Sequence, residues 1–163
     1  MDFFNQTGKL AIGSRLRMLT DKITVDAAAI YKMFGVDLKP KWFPVFFVLS
    51  RGEAKTITSI AKEIGHSHPS VSNIIKEMVA KGLVKETKDK SDGRRNMVML
   101  SAKGKRMSDS FSEQCIDVTA AIEQITQQTR NDLWEAIEEW ENLLLDKSLL
   151  QLSLIHISEP TRP

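Results

Sequence analysis

Between Thr56 and Leu83 the apolar positions fall into two short runs at helical spacing, each closed by a glycine. Ile57, Ile60, Ala61 and Ile64 end at Gly65; Val71, Ile74, Ile75, Met78 and Val79 end at Gly82. The pattern predicts two short helices and a tight turn. Thr58 is the expected cap of the first helix and Ser67 of the second, with Pro69 in a first turn where its missing N–H costs nothing. Gly82 supplies the left-handed residue that ends the second helix, and Leu83 can fold back onto it. Helices joined this closely must cross steeply, which is a helix-turn-helix arrangement.

The segments around this pair extend the prediction. Leu83 to Thr87 and Asn96 to Leu100 alternate enough for two short strands, and Lys88-Asp89-Lys90-Ser91-Asp92-Gly93-Arg94-Arg95 between them reads as a polar turn closed by Asp-Gly. Upstream, a long bent helix is expected from Asn5 or Thr7 to Gly35, with Leu16, Leu19, Ile23 and Ile30 on its stripe and Gly13 a mild cost within it. Pro40 to Ser50, with Trp42, Phe43, Phe46, Phe47 and Leu49, is too apolar for a surface helix and should be buried. Downstream, Ser101 can cap a helix whose Met107, Phe111, Cys115, Val118, Ile122 and Ile125 follow a coiled-coil seam. Thr129 with Asp132 fits a capping box, and Leu133, Ile137, Trp140 and Leu144 form a last stripe. So small a winged helix cannot cover these stripes, so a symmetric dimer is predicted. The fold class is mainly α with a small β-hairpin wing.

With its apolar side buried, the second helix would show His68, Ser70, Ser72, Asn73 and Lys76. These short donors and acceptors suit base edges, and a lysine suits phosphate. Ser67 opens the same helix and belongs to the same expected DNA-binding surface. Two adjacent arginines on an exposed hairpin can reach a minor groove, with Arg94 inserted and Asp92 pairing with it. Thr56, Lys76, Lys88, Lys90 and Arg95 are assigned to phosphates. Taken singly, the helix face reads equally well as a solvated surface, and the Asp92–Arg94 pair reads better as an ordinary surface ion pair. The charge distribution favours DNA. Residues 54–106 hold 12 Lys and Arg against 5 Asp and Glu, whereas residues 107–151 hold 2 against 10. A concentrated positive segment is the footprint of phosphate binding, and the acidic segment should lie away from it.

Gly82-Leu83-Val84, the wing Asp92-Gly93-Arg94-Arg95 and the closing Met99-Leu100-Ser101-Ala102-Lys103-Gly104 resemble, in order and spacing, the MarR (multiple-antibiotic-resistance regulator) family of winged-helix proteins. The resemblance extends over Gly8 to Lys147, because long helices flank the winged helix on both sides. It implies a homodimer that binds double-stranded DNA at a pseudo-palindromic operator, usually as a repressor. By position, Asp92 and Arg94 correspond to the family's wing pair and the helix from Ser67 to Val79 to its recognition helix. The resemblance also allows the aromatics of Pro40 to Ser50 to line a pocket for a small apolar effector, although core packing is the favoured account of a single aromatic cluster.

Composition narrows the remaining classes. At 163 residues, 42 % hydrophobic and 27 % charged, the chain is large enough for one domain with a real core. Cys115 is the single cysteine, which excludes an internal disulfide and a multi-cysteine zinc site and fits a reducing cytoplasm. No membrane-spanning run is present. His66 and His68 lack a carboxylate or thiol at metal spacing, and no catalytic constellation or cofactor motif stands out. The expected organisation is 1–53 for N-terminal helices of a dimerisation lobe and core, 54–106 for the DNA-binding winged helix, and 107–150 for C-terminal dimerisation helices. Residues 151–163 stand apart: Leu152 to Arg162, LSLIHISEPTR, resembles the translation of a transposon-end sequencing adapter. On that reading the natural chain is cut near Gln151. Some relatives with a similar Trp134 to Trp140 run carry an acetyltransferase domain there. The competing functions are therefore the regulatory head of a truncated acetyltransferase and a winged helix that binds protein rather than DNA.

Overall fold

In a computed structural model that describes residues 2–88 and 96–158, the described residues form eight α-helices and a two-stranded hairpin, with short 3-10 turns at Gly8–Ala11 and Pro40–Trp42. Helices α1 (Asp2–Thr7), α2 (Ile12–Met33), α3 (Phe43–Ser50), α4 (Ile57–Glu63) and α5 (His68–Ala80) precede a hairpin of β1 (Val84–Lys88) and β2 (Asn96–Leu100). Helices α6 (Ala102–Gln127), α7 (Leu133–Asp146) and α8 (Leu149–Ser158) follow. The chain divides within α6 into two compact units, 1–116 and 117–163.

The first unit is built on the apolar segments that the sequence singles out. Trp42, Val45, Phe46, Val48 and Leu49 from the α3 region pack with Ile60 and Ala61 of α4, with Val71, Ile74, Ile75 and Met78 of α5, and with Leu83, Val84, Val98, Leu100 and Phe111. Phe46 and Phe111 meet edge to face at 4.8 Å, and Phe43 and Phe47 flank Phe111 at 5.8 and 6.5 Å. Fully burying one such side chain contributes about 1.5–3 kcal/mol, so this cluster holds α3 and α6 against the helix pair. Phe43 and Phe47 nevertheless remain 39 % and 38 % exposed, so the segment is buried on one side rather than all round.

The helix pair ends as its glycines require. Gly65 and Gly82 take φ of +67° and +70°. Around Gly82 the Leu83 N–H reaches the Met78 carbonyl at 3.0 Å and the Gly82 N–H the Val79 carbonyl at 2.8 Å, a Schellman closure. The same closure at Gly65 brings the His66 N–H to the Ala61 carbonyl.

The hairpin is antiparallel with Val84 opposite Leu100 and Lys88 opposite Asn96. β2 alternates in burial, but in β1 only Val84 is buried. A third strand position was not expected: Lys55 and Val98 exchange both backbone hydrogen bonds, at 2.9 and 2.7 Å, which ties the entry of α4 to the hairpin.

Several helix starts differ from the sequence reading. Neither Asn5 nor Thr7 opens the first helix. α1 already begins at Asp2, the Thr7 hydroxyl donates back to the Phe3 carbonyl, and a short 3-10 turn from a left-handed Gly8 separates it from α2. Thr58 does not cap α4; Thr56 does, its Oγ1 accepting from the Ser59 N–H at 3.1 Å. The Thr129 capping box does not form. Asp132 caps α7 by accepting from the Trp134 and Glu135 N–H groups, while the Thr129 hydroxyl is engaged with backbone carbonyls. Ser67 and Ser101 act as expected, Ser101 Oγ accepting from the Gly104 N–H at 3.0 Å.

In the second unit, none of α7's residues is buried, and Leu133, Trp134, Ile137 and Trp140 are 40–71 % exposed. The segment set apart as a tail is helical through Ser158.

Candidate nucleic-acid interface

The candidate surface is built on α5. Ser67 has extended backbone, φ −70° and ψ 146°, and its Oγ accepts from the Ser70 N–H, which starts the helix and fixes where each later side chain points. Val71, Ile74, Ile75 and Met78 are buried, so the opposite side faces outward. His68, Asn73 and Lys76 are exposed, and Ser70 and Ser72 are half-buried at its margins. Helical spacing sorts these residues into two rows. His68, Ser72 and Lys76 step by four along one flank, and Ser70, Asn73 and Glu77 step by three and four along the other.

The remaining expected residues lie elsewhere. Thr56 is half-buried at the start of α4, where its hydroxyl oxygen serves the cap and its proton stays available for donation. Lys88 is exposed at the end of β1, opposite Asn96. Lys90, Asp92, Arg94 and Arg95 fall outside the described residues.

Sequence reasoning missed Glu77. Its carboxylate accepts from Lys41 Nζ at 2.6 Å, Trp42 Nε1 at 3.0 Å and Lys39 Nζ at 3.4 Å. Lys39 also lies over the Trp42 ring, 5.0 Å from its centroid. The Lys41 hydrogen bond, followed by those of Trp42 and Lys39, draws the Glu77 carboxyl down from 4.5 to about 2 against an opposing desolvation effect. This cluster fastens α5 to the segment before α3. A groove of about 310 Å³ opens beside it, lined by Lys41, His66, Ser70, Asn73 and Glu77 among others. His66 Nδ1 is 2.9 Å from the Ile64 carbonyl.

A second polar cluster steadies α4. Glu63 receives Lys55 at 3.0 Å and Arg51 at 3.2 Å, and the Glu63 hydrogen bond raises the Lys55 pKa while desolvation opposes it. Away from the interface, Tyr31 is buried beside Gln114 and Cys115. Burial is the largest cause that pushes its phenol up to about 12, with Cys115 adding to the rise and a hydrogen bond with Gln114 opposing it. Burial also raises the Cys115 thiol, which suits a structural side chain better than a reactive thiolate.

The order of helix pair, hairpin and long closing helix is that of a winged helix, and residues 36–95 match the model of the MarR family. That segment of the chain is similar to the winged helix of the MarR family. Solved structures of transcriptional regulators share the chain's fold. A probable transcriptional regulator from Pseudomonas aeruginosa is 17 % identical, with a TM-score of 0.59 over 82 % of this chain and 96 % of its own. The transcriptional repressor CouR, bound to a 23-mer DNA duplex, is 20 % identical, with a TM-score of 0.63 over 85 % and 96 %. An S. aureus MepR–DNA complex is 21 % identical, with a TM-score of 0.51 over 78 % and 98 %. Among curated proteins, none matches the sequence. At these identities the likeness establishes the fold, and the residues of this chain must carry any functional reading. No helix among the described residues is long and apolar enough to cross a membrane.

Proposed function

We propose that the chain is a homodimeric transcriptional regulator that represses by binding a pseudo-palindromic operator, with α5 in the major groove and Arg94 in the minor groove. The observation that carries this reading is α5 itself. Its apolar side is buried, its ends are fixed by Ser67 and Gly82, and its outward side offers His68, Asn73 and Lys76 with Ser70 and Ser72 beside them. That side sits in the segment with 12 basic and 5 acidic residues. Ser70, Ser72 and Asn73 have the hydrogen-bonding chemistry for base edges. Thr56, Ser67, His68, Lys76, Lys88, Lys90 and Arg95 are the positioning contacts, and Asp92 steadies Arg94.

The exposed stripes support a dimer. Leu16, Leu19, Ile23, Ile122, Ile125, Ile137 and Trp140 are each 40 % exposed or more in the single chain, an amount of apolar surface that calls for a partner. A second copy would cover it through 1–53 and 107–150 and set two α5 helices about one helical turn of DNA apart, ~34–36 Å. Relatives of this fold include a PcaV regulator in complex with its natural ligand, which supports a small-molecule effector here as well.

The test is binding to duplexes selected from a random pool. Asn73→Ala and Ser70→Ala should each relax preference at particular base positions by about 1–3 kcal/mol. Unchanged sequence preference in both variants would refute the role assigned to α5.

A further inference from the structure

We infer that Lys41, carried by the segment before α3, is a backbone-phosphate contact of the DNA-bound chain, held against the Ser70–Asn73 flank of α5 by Glu77. The inference rests on the DNA-reading role proposed for α5.

A helix about 10–12 Å across nearly fills a major groove ~12 Å wide, so both of its flanks lie against phosphate strands. One flank of α5 carries its own cation, Lys76, in the row His68, Ser72, Lys76. The other row, Ser70, Asn73, Glu77, ends in a carboxylate, and α5 contains no second Lys or Arg. An unpaired carboxylate there would repel the strand beside it.

The structure supplies the missing charge from outside the helix. Lys41 Nζ lies 2.6 Å from Glu77 and, with His66, Ser70 and Asn73, lines the groove along that flank. Lys39 also pairs with Glu77, at 3.4 Å, but it rests on the Trp42 ring and is not among the groove's lining residues. Two ammonium groups against one carboxylate leave a net positive charge beside Ser70 and Asn73. Trp42 Nε1 gives the carboxylate a third donor, so Glu77 stays anchored when Lys41 turns toward a phosphate.

The experiment measures affinity of the full chain for a mixed-sequence duplex across a salt series, for the wild type, Lys41→Gln, Lys41→Arg and Lys39→Gln. Loss of one phosphate contact lowers the exponent of the salt dependence by about 0.9 and the affinity at ~0.1 M salt by up to about eightfold. Lys41→Gln should show this loss, Lys41→Arg should retain the wild-type exponent, and Lys39→Gln should change it by less than half as much. Thermal unfolding of each variant, followed by circular dichroism, establishes that the helices are intact. A purely structural ion pair would make both Gln variants alike, with no drop in exponent, and that result overturns the inference while leaving the role of α5 standing. A wild-type chain that fails to bind at low salt overturns both.

Discussion

Gly104 offers the sharpest test of how the winged helix is closed. It lies three residues after the Ser101 cap, where α6 passes over the start of the hairpin. A Cβ built there would stand 2.2 Å from the Leu83 carbonyl oxygen, 3.2 Å from its carbon and 3.3 Å from Leu100 Cβ. The first distance must open by about 0.8 Å to reach the 3.0 Å below which real Cβ contacts are essentially never found. The carbonyl is poorly placed to retreat: it accepts from the Ser101 N–H at 2.9 Å, and the Leu83 side chain is fully buried. Alanine gains at most ~1 kcal/mol over glycine as a helix former, and less so near a helix start. Overpacking of this kind costs about 1–3 kcal/mol, and a lost Ser101–Leu83 hydrogen bond adds ~1 kcal/mol. Gly104→Ala should therefore destabilise the chain by about 1–3 kcal/mol, read as a lower urea midpoint at an unchanged slope. A variant as stable as the wild type would refute the close approach and the reason given for this glycine.

Other consequences follow from the same geometry. Thr56→Ala removes the α4 cap and should cost about 0.5–2 kcal/mol by urea denaturation, whereas Thr56→Ser should recover most of it. Because folding lowers the Glu77 pKa, its stabilising effect is complete above the unfolded value of 4.5 and is lost as pH falls toward about 2. Glu77→Gln should accordingly flatten the fall in melting temperature through that window; an unchanged acid limb would count against the Lys41–Glu77 pair. Trp134 and Trp140 are 71 % and 54 % exposed in the single chain, so dimerisation should shift tryptophan emission to the blue with rising protein concentration. Ile137→Asp should abolish that shift and halve the mass found by sedimentation equilibrium.

The sequence disclosed those features whose causes are local. Ser67, Pro69 and Gly82 bound α5 because a cap, a first-turn proline and a left-handed glycine act within a few residues of themselves. Gly104 belongs to the closing motif that first pointed to the family, and its contact with Leu83 supplies the physical reason for it. Features that depend on distant partners were hidden. Local pattern points to Thr58 as the cap of α4, but pairing between Lys55 and Val98 extends the chain up to Thr56, which is the cap. Periodicity gave no sign of the Glu77 cluster, because its three donors come from the separate segment Lys39 to Trp42. Nothing in the apolar pattern marks the positive φ of Gly8, so the pattern alone predicts an unbroken helix there. For Lys90, Asp92, Arg94 and Arg95 the case still rests on sequence and family resemblance.

The central claim, that this winged helix reads DNA with α5 and a wing arginine, is tested most directly by binding to promoter DNA from the gene's own neighbourhood across a salt series, with Arg94→Ala alongside. The account predicts tight binding that weakens steeply with salt, and a loss of affinity on every sequence when Arg94 is truncated. A folded dimer that does not bind at low salt, or binding that Arg94→Ala leaves untouched, would contradict it.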